Sequence, residues 1–231
     1  MNQKYLYLSL NLLSFFVTLA LSFLPKANFA KKWKYVWPAI IASALIFLAG
    51  DVFFTTLGIR GFSETYTVGP KILGLPIEEV LFFICIPYAS LCIYYILTQF
   101  IEKDYLFPHQ ELISSVIIVA LLIAGGYFMH NLYTGITFLV TAGALAVVWM
   151  KLRMRFLGRF YFAFVILLVP FLIVHSITTG SFIDEPIVWF DDTENLGVRL
   201  GTIPLEDVVF SLLLLLIPLT IWEKLDELRY W

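Results

Sequence analysis

The chain has 231 residues, of which 61% are hydrophobic and 14% charged, with a formal net charge of −2 and a mean hydropathy of +0.90. Soluble domains carry roughly 45–50% apolar residues, so a soluble fold has too little polar surface to cover this chain, and the near-neutral charge leaves no electrostatic footprint for nucleic acid. The composition is that of an all-α polytopic protein of the lipid bilayer.

Segments long and apolar enough to cross the hydrocarbon fall near residues 5–24, 36–57, 76–98, 112–129, 132–150, 160–178 and 204–222. The first is followed rather than preceded by its lysines (Lys26, Lys31, Lys32, Lys34), which suits a retained span with the N-terminus outside better than a secretory signal. The second holds Asp51 about six residues, roughly 9 Å, from its outer end. The third opens on "LPIEEVLFF" and carries Cys85 and Cys92, which share one helix face two turns apart, too far for a disulfide. They read as small apolar residues. "MHNLYTG" separates the fourth and fifth segments, which could also form one long broken hairpin. The sixth carries His175 near its outer end, and the seventh begins "IPLEDVVF".

Seven spans place the termini on opposite sides. Loops 1–2, 3–4 and 5–6 with the C-terminus hold eleven of the fifteen Lys and Arg residues, including Arg153, Arg155 and Arg229; the other side holds Lys4, Arg60, Lys71 and Arg199. The positive-inside rule then predicts an outside N-terminus and a cytoplasmic C-terminus in a cell membrane.

"GPKILGLPIEEVLF" (69–82) and "GVRLGTIPLEDVVF" (197–210) align without a gap at an offset of 128, matching Gly69 with Gly197, Lys71 with Arg199, Pro76 with Pro204, Glu78 with Glu206 and Glu79 with Asp207. Helix capping accounts for a proline and one acid at a helix start. It does not account for paired acids with an upstream Gly-x-[Lys/Arg]. Both motifs precede spans that start outside, so the repeat is parallel and implies a pseudo-two-fold axis along the membrane normal. The predicted organisation is a three-helix unit (1–105), a linking helix (106–131) and a second three-helix unit (132–231).

An ionisable group inside a span is a functional candidate. Asp51, Glu78 and Glu79 from one half and His175, Glu206 and Asp207 from the other all sit at the same outer depth. A carboxylic acid in an apolar site can hold a proton to donate at neutral pH, while a second, ionised carboxylate beside a cation stabilises positive charge or accepts a proton. That serves acid-initiated carbocation chemistry on a lipid-soluble alkene, or a proton relay in a transporter. Three His and two Cys without ligand spacing do not suggest zinc. No dinucleotide or Walker-type glycine motif is present. The seventh span has no lysine for a retinal Schiff base.

"ETYTVG…LPIEEVLFF" and "NLGVRLGTIPLEDVVF" resemble the two Pro-x-Glu-[Glu/Asp] signatures of the small integral-membrane lycopene cyclases, and the resemblance spans nearly the whole chain, in the fused single-chain form. It implies conversion of lycopene to γ-carotene and β-carotene by ring closure at each end, without net redox and with no flavin or other cofactor expected. It implies central carboxylates at Glu78 and Glu206, partners at Glu79 and Asp207, and Asp51 and His175 next in line for proton supply or cation stabilisation. Supporting roles at the site fall to Lys71, Arg199 and Tyr66. A proton-coupled carrier or a carotenoid-binding seven-span protein is the competing expectation; a carrier would show polar groups in both membrane halves. The expected partners are lycopene or related acyclic carotenoids and the bilayer, with oligomeric state open.

Overall fold

The computed structural model describes residues 3–152 and 156–227. Arg153, Arg155 and Arg229, three of the cations behind the predicted orientation, lie outside the described residues. Seven helices are long and apolar enough to cross a membrane, and the chain is a multi-pass membrane protein. They are α1 (Leu6–Leu21), α2 (Trp33–Thr56), α3 (Ile77–Phe100), α4 (Gln110–Tyr127), α5 (Leu132–Ala146), α6 (Leu157–Thr178) and α7 (Leu205–Glu227). Each predicted span finds its helix, because hydrocarbon offers the backbone no partner and forces every apolar run of about 20 residues to bond internally. The fourth and fifth segments are two separate helices packed side by side. A π-helical turn over Val147–Lys151 continues α5.

Four helices contain an interior proline: Pro38 in α2, Pro87 in α3, Pro170 in α6 and Pro218 in α7. A soluble helix would lose about 3 kcal/mol to each. In a bundle, neighbouring helices and local backbone adjustment re-satisfy the freed carbonyls.

The loops before α3 and α7 reproduce the sequence repeat element by element. Strands β2 (Lys71–Ile72) and β3 (Leu75–Pro76) form a hairpin before α3, and β5 (Arg199–Leu200) and β6 (Ile203–Pro204) form its counterpart before α7. Gly69 and Gly197 both take a positive φ there, at 115° and 67°, a conformation that glycine adopts without a Cβ clash. The Ile77 N–H donates to the Pro70 carbonyl at 3.0 Å, and the Leu205 N–H donates to Val198 at 3.0 Å.

Strands β1 (Arg60–Phe62) and β4 (Val188–Phe190) then tie the halves together. Arg60 pairs with Phe190, Gly61 with Trp189 and Phe62 with Val188. Gly61 and Trp189 are separated by the same 128 residues as the motifs, so this antiparallel ladder is centred on equivalent positions and the pseudo-two-fold axis passes between them. A Cβ on Gly61 would lie 2.3 Å from the Trp189 ring; glycine is what lets the ring cross the strand.

Packing crosses between the halves as well. α1 lies against α3, α5 against α7, and α2 packs on both α3 and α7. One core cluster gathers around Phe29, Tyr88, Leu145, Phe160 and Trp222. A second, around Tyr7, Phe47, Phe83, Tyr133 and Ile187, surrounds the ionisable groups at the end of the bundle where α3 and α7 begin.

Candidate active site

The paired acids open α3 and α7, where first-turn carboxylates complement the free N–H groups and the helix dipole. Successive residues on a helix point about 100° apart, so the two acids of each pair face different surroundings. Glu78 and Glu206 turn back to the loops: Glu78 Oε1 accepts the Val68 N–H at 2.6 Å and Glu206 Oε1 accepts the Leu196 N–H at 2.7 Å. Thr134 donates its hydroxyl to the same Glu206 oxygen at 2.5 Å. Both acids are fully buried, and the second oxygen of each has no hydrogen-bond partner among the described residues.

Glu79 and Asp207 turn inward instead. They line one cavity of about 20 Å³ between the halves, together with Tyr7, Arg60, Tyr133 and His175. Glu79 accepts from the Tyr7 hydroxyl through Oε2 and from the Arg60 guanidinium at 3.2 Å through Oε1. Asp207 accepts from the Tyr133 hydroxyl through Oδ1 and meets His175 Nε2 at 2.6 Å through Oδ2. Tyr7 on α1 and Tyr133 on α5 thus play matching parts.

The third acid, Asp51 of α2, pairs with Arg60 through Oδ1, so it shares that guanidinium with Glu79. Neither Asp51 oxygen meets a donor with hydrogen-bond angles. Arg60 is the cation of the cluster. Its guanidinium carbon lies 5.2 Å from the centre of the Phe62 ring and 5.4 Å from that of Phe190, the two equivalent aromatics of the ladder, a desolvated cation–π arrangement. Burial alone would lower its pKa, but the Asp51 and Glu79 carboxylates outweigh that and raise it, so the group stays charged.

The cluster opens toward lipid on two sides. A groove of about 270 Å³ between α1, α3 and α6 shares Tyr7, Phe82, Phe171 and His175 with the central cavity. Its pseudo-symmetric image between α2, α5 and α7, of about 150 Å³, shares Arg60, Tyr133 and Phe210 and also carries Asp51. Exposed side chains rim both: Leu13 and Val17 on the first, Ile46 and Val140 on the second.

A scan against family models matches residues 4–97 and 130–225 to the model described as lycopene cyclase. The chain belongs to the lycopene cyclase family. As a lycopene cyclase it acts on a carotenoid, and both lipid-facing grooves converge on its buried acids. No curated protein sequence and no solved structure matches the chain.

Of the residues singled out in the sequence of this lycopene cyclase, the fold gathers Glu79, His175 and Asp207 around one cavity and joins Asp51 to it through Arg60, while Glu78 and Glu206 each precede an inward acid and face the loops. Lys71 and Arg199 do not supply the cation beside the acids. Lys71 pairs with Glu64 at 2.9 Å in the loop before α3, and that bond holds the Glu64 carboxyl below its usual range. Arg199 pairs with Asp192 and donates to the Thr202 carbonyl at 2.8 Å. The hairpin turns carry both cations away from the helix starts. Tyr66 is buried in the core cluster that surrounds the ionisable groups. Sequence reasoning missed Arg60, Tyr7 and Tyr133. The signal for Arg60 was there: "IRGF" (59–62) aligns with "IVWF" (187–190) at the motif offset, and the first copy alone has a charge.

Proposed function

We propose that this lycopene cyclase closes β-ionone rings at both ends of lycopene, giving γ-carotene and then β-carotene, at one composite site between its halves. A proton is added at C2 of an acyclic end, leaving a tertiary cation at C1. The C5=C6 double bond attacks C1, so the C1–C6 bond forms and the charge moves to C5. Loss of the C6 proton restores the double bond between C5 and C6. One proton enters and one leaves, so substrate and product are isomers and no electrons are exchanged.

What supports this reading is the inventory of the buried cluster. Among the described residues, three carboxyl groups share the cluster with a single guanidinium: Asp51 and Glu79 pair with Arg60, and Asp207 lines the same cavity. An uncompensated charge in such a site costs several kcal/mol. Even with His175 protonated, charge balance leaves one carboxyl carrying a proton, which is the acid that the reaction needs. The remaining carboxylates face the path of a developing cation, where fixed charge stabilises the transition state. In this reading Glu78 and Glu206 fix the loops that aim their neighbours, and Lys71, Arg199 and Tyr66 hold the outer frame.

We further propose that residues 1–105 and 132–231 act as two three-helix units joined by the linking helix 106–131, with the N-terminus outside and the C-terminus cytoplasmic. An extended C40 polyene is about as long as the hydrocarbon layer is thick, roughly 30 Å. Its two ends cannot both reach the outer depth while it lies along the normal, so one end is processed at a time. Expression in a lycopene-accumulating bacterium, with pigment chromatography, tests the function. β-Carotene is the expected product, from membranes or from purified detergent protein without added flavin or nicotinamide. Unchanged lycopene, or strict dependence on reduced flavin, would overturn the reading.

A further inference from the structure

We infer that Asp51 is the proton donor, presented to the carotenoid end from the groove between α2, α5 and α7, and that the Asp207–His175 pair takes the proton back. The inference rests on the proposed cyclisation and assigns the parts within it.

The three inward carboxyls are not equivalent. Glu79 accepts hydrogen bonds on both oxygens, from Tyr7 and Arg60. Asp207 accepts from Tyr133 on one oxygen and, with the Nε2 proton on His175, from that ring on the other. A carboxyl that accepts on both oxygens from charged or phenolic donors is held as the anion. Asp51 is different. It is 3% exposed, it pairs with Arg60 but accepts no hydrogen bond among the described residues, and it shares that guanidinium with Glu79. Two carboxyl groups that share one guanidinium in a buried site leave a proton on one of them. With Glu79 held as the anion by its two donors, the proton that the cluster retains belongs on Asp51.

Of the three, Asp51 is also the acid that lines a lipid-facing groove; Glu79 and Asp207 line the small central cavity instead. An alkene entering between α2, α5 and α7 meets Asp51 first. Arg60, already paired with Asp51, then stabilises the carboxylate left behind. Asp207 lines the central cavity, which shares Tyr133 and Phe210 with that groove. His175, bonded to Asp207 through Nε2 and to Thr178 through Nδ1 at 3.1 Å, completes an acceptor built on α6 and α7 rather than on the donor's helix α2. Donation at C2 and abstraction at C6 thus use opposite halves of the chain.

The chemistry gives the two parts different signatures. Without the donor no cation forms and lycopene remains. Without the acceptor the C5 cation still forms but loses a proton elsewhere: loss from C4 gives an ε ring, and loss from the C5 methyl gives an exocyclic double bond. Asp51→Asn should therefore reduce all cyclised pigment by ~10²–10⁴, and Asp51→Glu should recover part of it as β rings. Asp207→Asn and His175→Gln should lose β rings while their residual cyclised pigment shifts to ε or exocyclic ends. Gly50 lines the same groove, and a Cβ there meets nothing within 4 Å, so Gly50→Leu should fill the groove and cut turnover at least about tenfold.

The variants are compared in lycopene-accumulating cells at matched levels of detergent-monodisperse protein. Near-normal cyclisation by Asp51→Asn or Gly50→Leu would overturn the donor assignment. Ring types unchanged in both Asp207→Asn and His175→Gln, or lycopene alone from both, would overturn the acceptor assignment. A wild-type chain that leaves lycopene unchanged would instead defeat the underlying function.

Discussion

Glu79→Gln is expected to lower β-ring formation by ~10²–10³, the usual cost of removing one fixed electrostatic group from a desolvated transition state, while Glu78→Gln keeps most of its activity. The two residues are neighbours on α3, and both are essentially unexposed. Their surroundings separate them. The Glu79 carboxylate faces the cavity, neutralises Arg60 and stands beside Asp51. An amide there carries no charge to stabilise a cation. Glu78 accepts the Val68 N–H through one oxygen, and glutamine offers the same acceptor, so the change costs stability of about 1 kcal/mol rather than chemistry. Pigment yields at matched protein level measure both. Full activity in Glu79→Gln together with loss in Glu78→Gln would return the central role to the first acid of each pair.

That contrast marks where sequence stops being legible. The seven helices could be read because a bilayer imposes length and apolarity on each span. The repeat could be read because one offset runs through the motifs, the hairpins and the ladder. The direction in which each acid points could not, since a shift of one residue turns a side chain by about 100° and "EE" and "ED" look alike in either register. The cation was misjudged for a related reason. Lys71 and Arg199 lie close to the acids in sequence, but two-residue hairpin turns fold them outward. Arg60, nineteen residues from Glu79, is brought inward by a ladder whose partner strand belongs to the other half. Tyr7 and Tyr133 sit 72 and 74 residues from the acids that they serve, and only helix packing joins them.

Arg60→Met is expected to destabilise the protein by about 3–5 kcal/mol, the range for removing one partner of a buried ion pair, and to abolish cyclisation with it. Methionine fills similar space, but the change leaves the Glu79 carboxylate without its counter-ion, Asp51 without the cation that it shares, and the Phe62 and Phe190 rings without their cation. Arg60→Lys restores charge but not the planar fork that reaches two carboxylates at once, so an intermediate loss is expected. Thermal unfolding in detergent measures the first effect and pigment yield the second. Unfolding of Arg60→Met at the wild-type temperature would show that the cluster does not depend on this cation.

The central claim is that both halves build one site, because Glu79 of the first and Asp207 of the second line the same cavity. The direct measurement is the pigment profile of Glu79→Gln, Asp207→Asn and the double variant, each expressed with lycopene. A composite site predicts that each single variant loses β rings at both ends of the substrate, about as severely as the double. β-Ring formation that survives in both singles and disappears only in the double would contradict it.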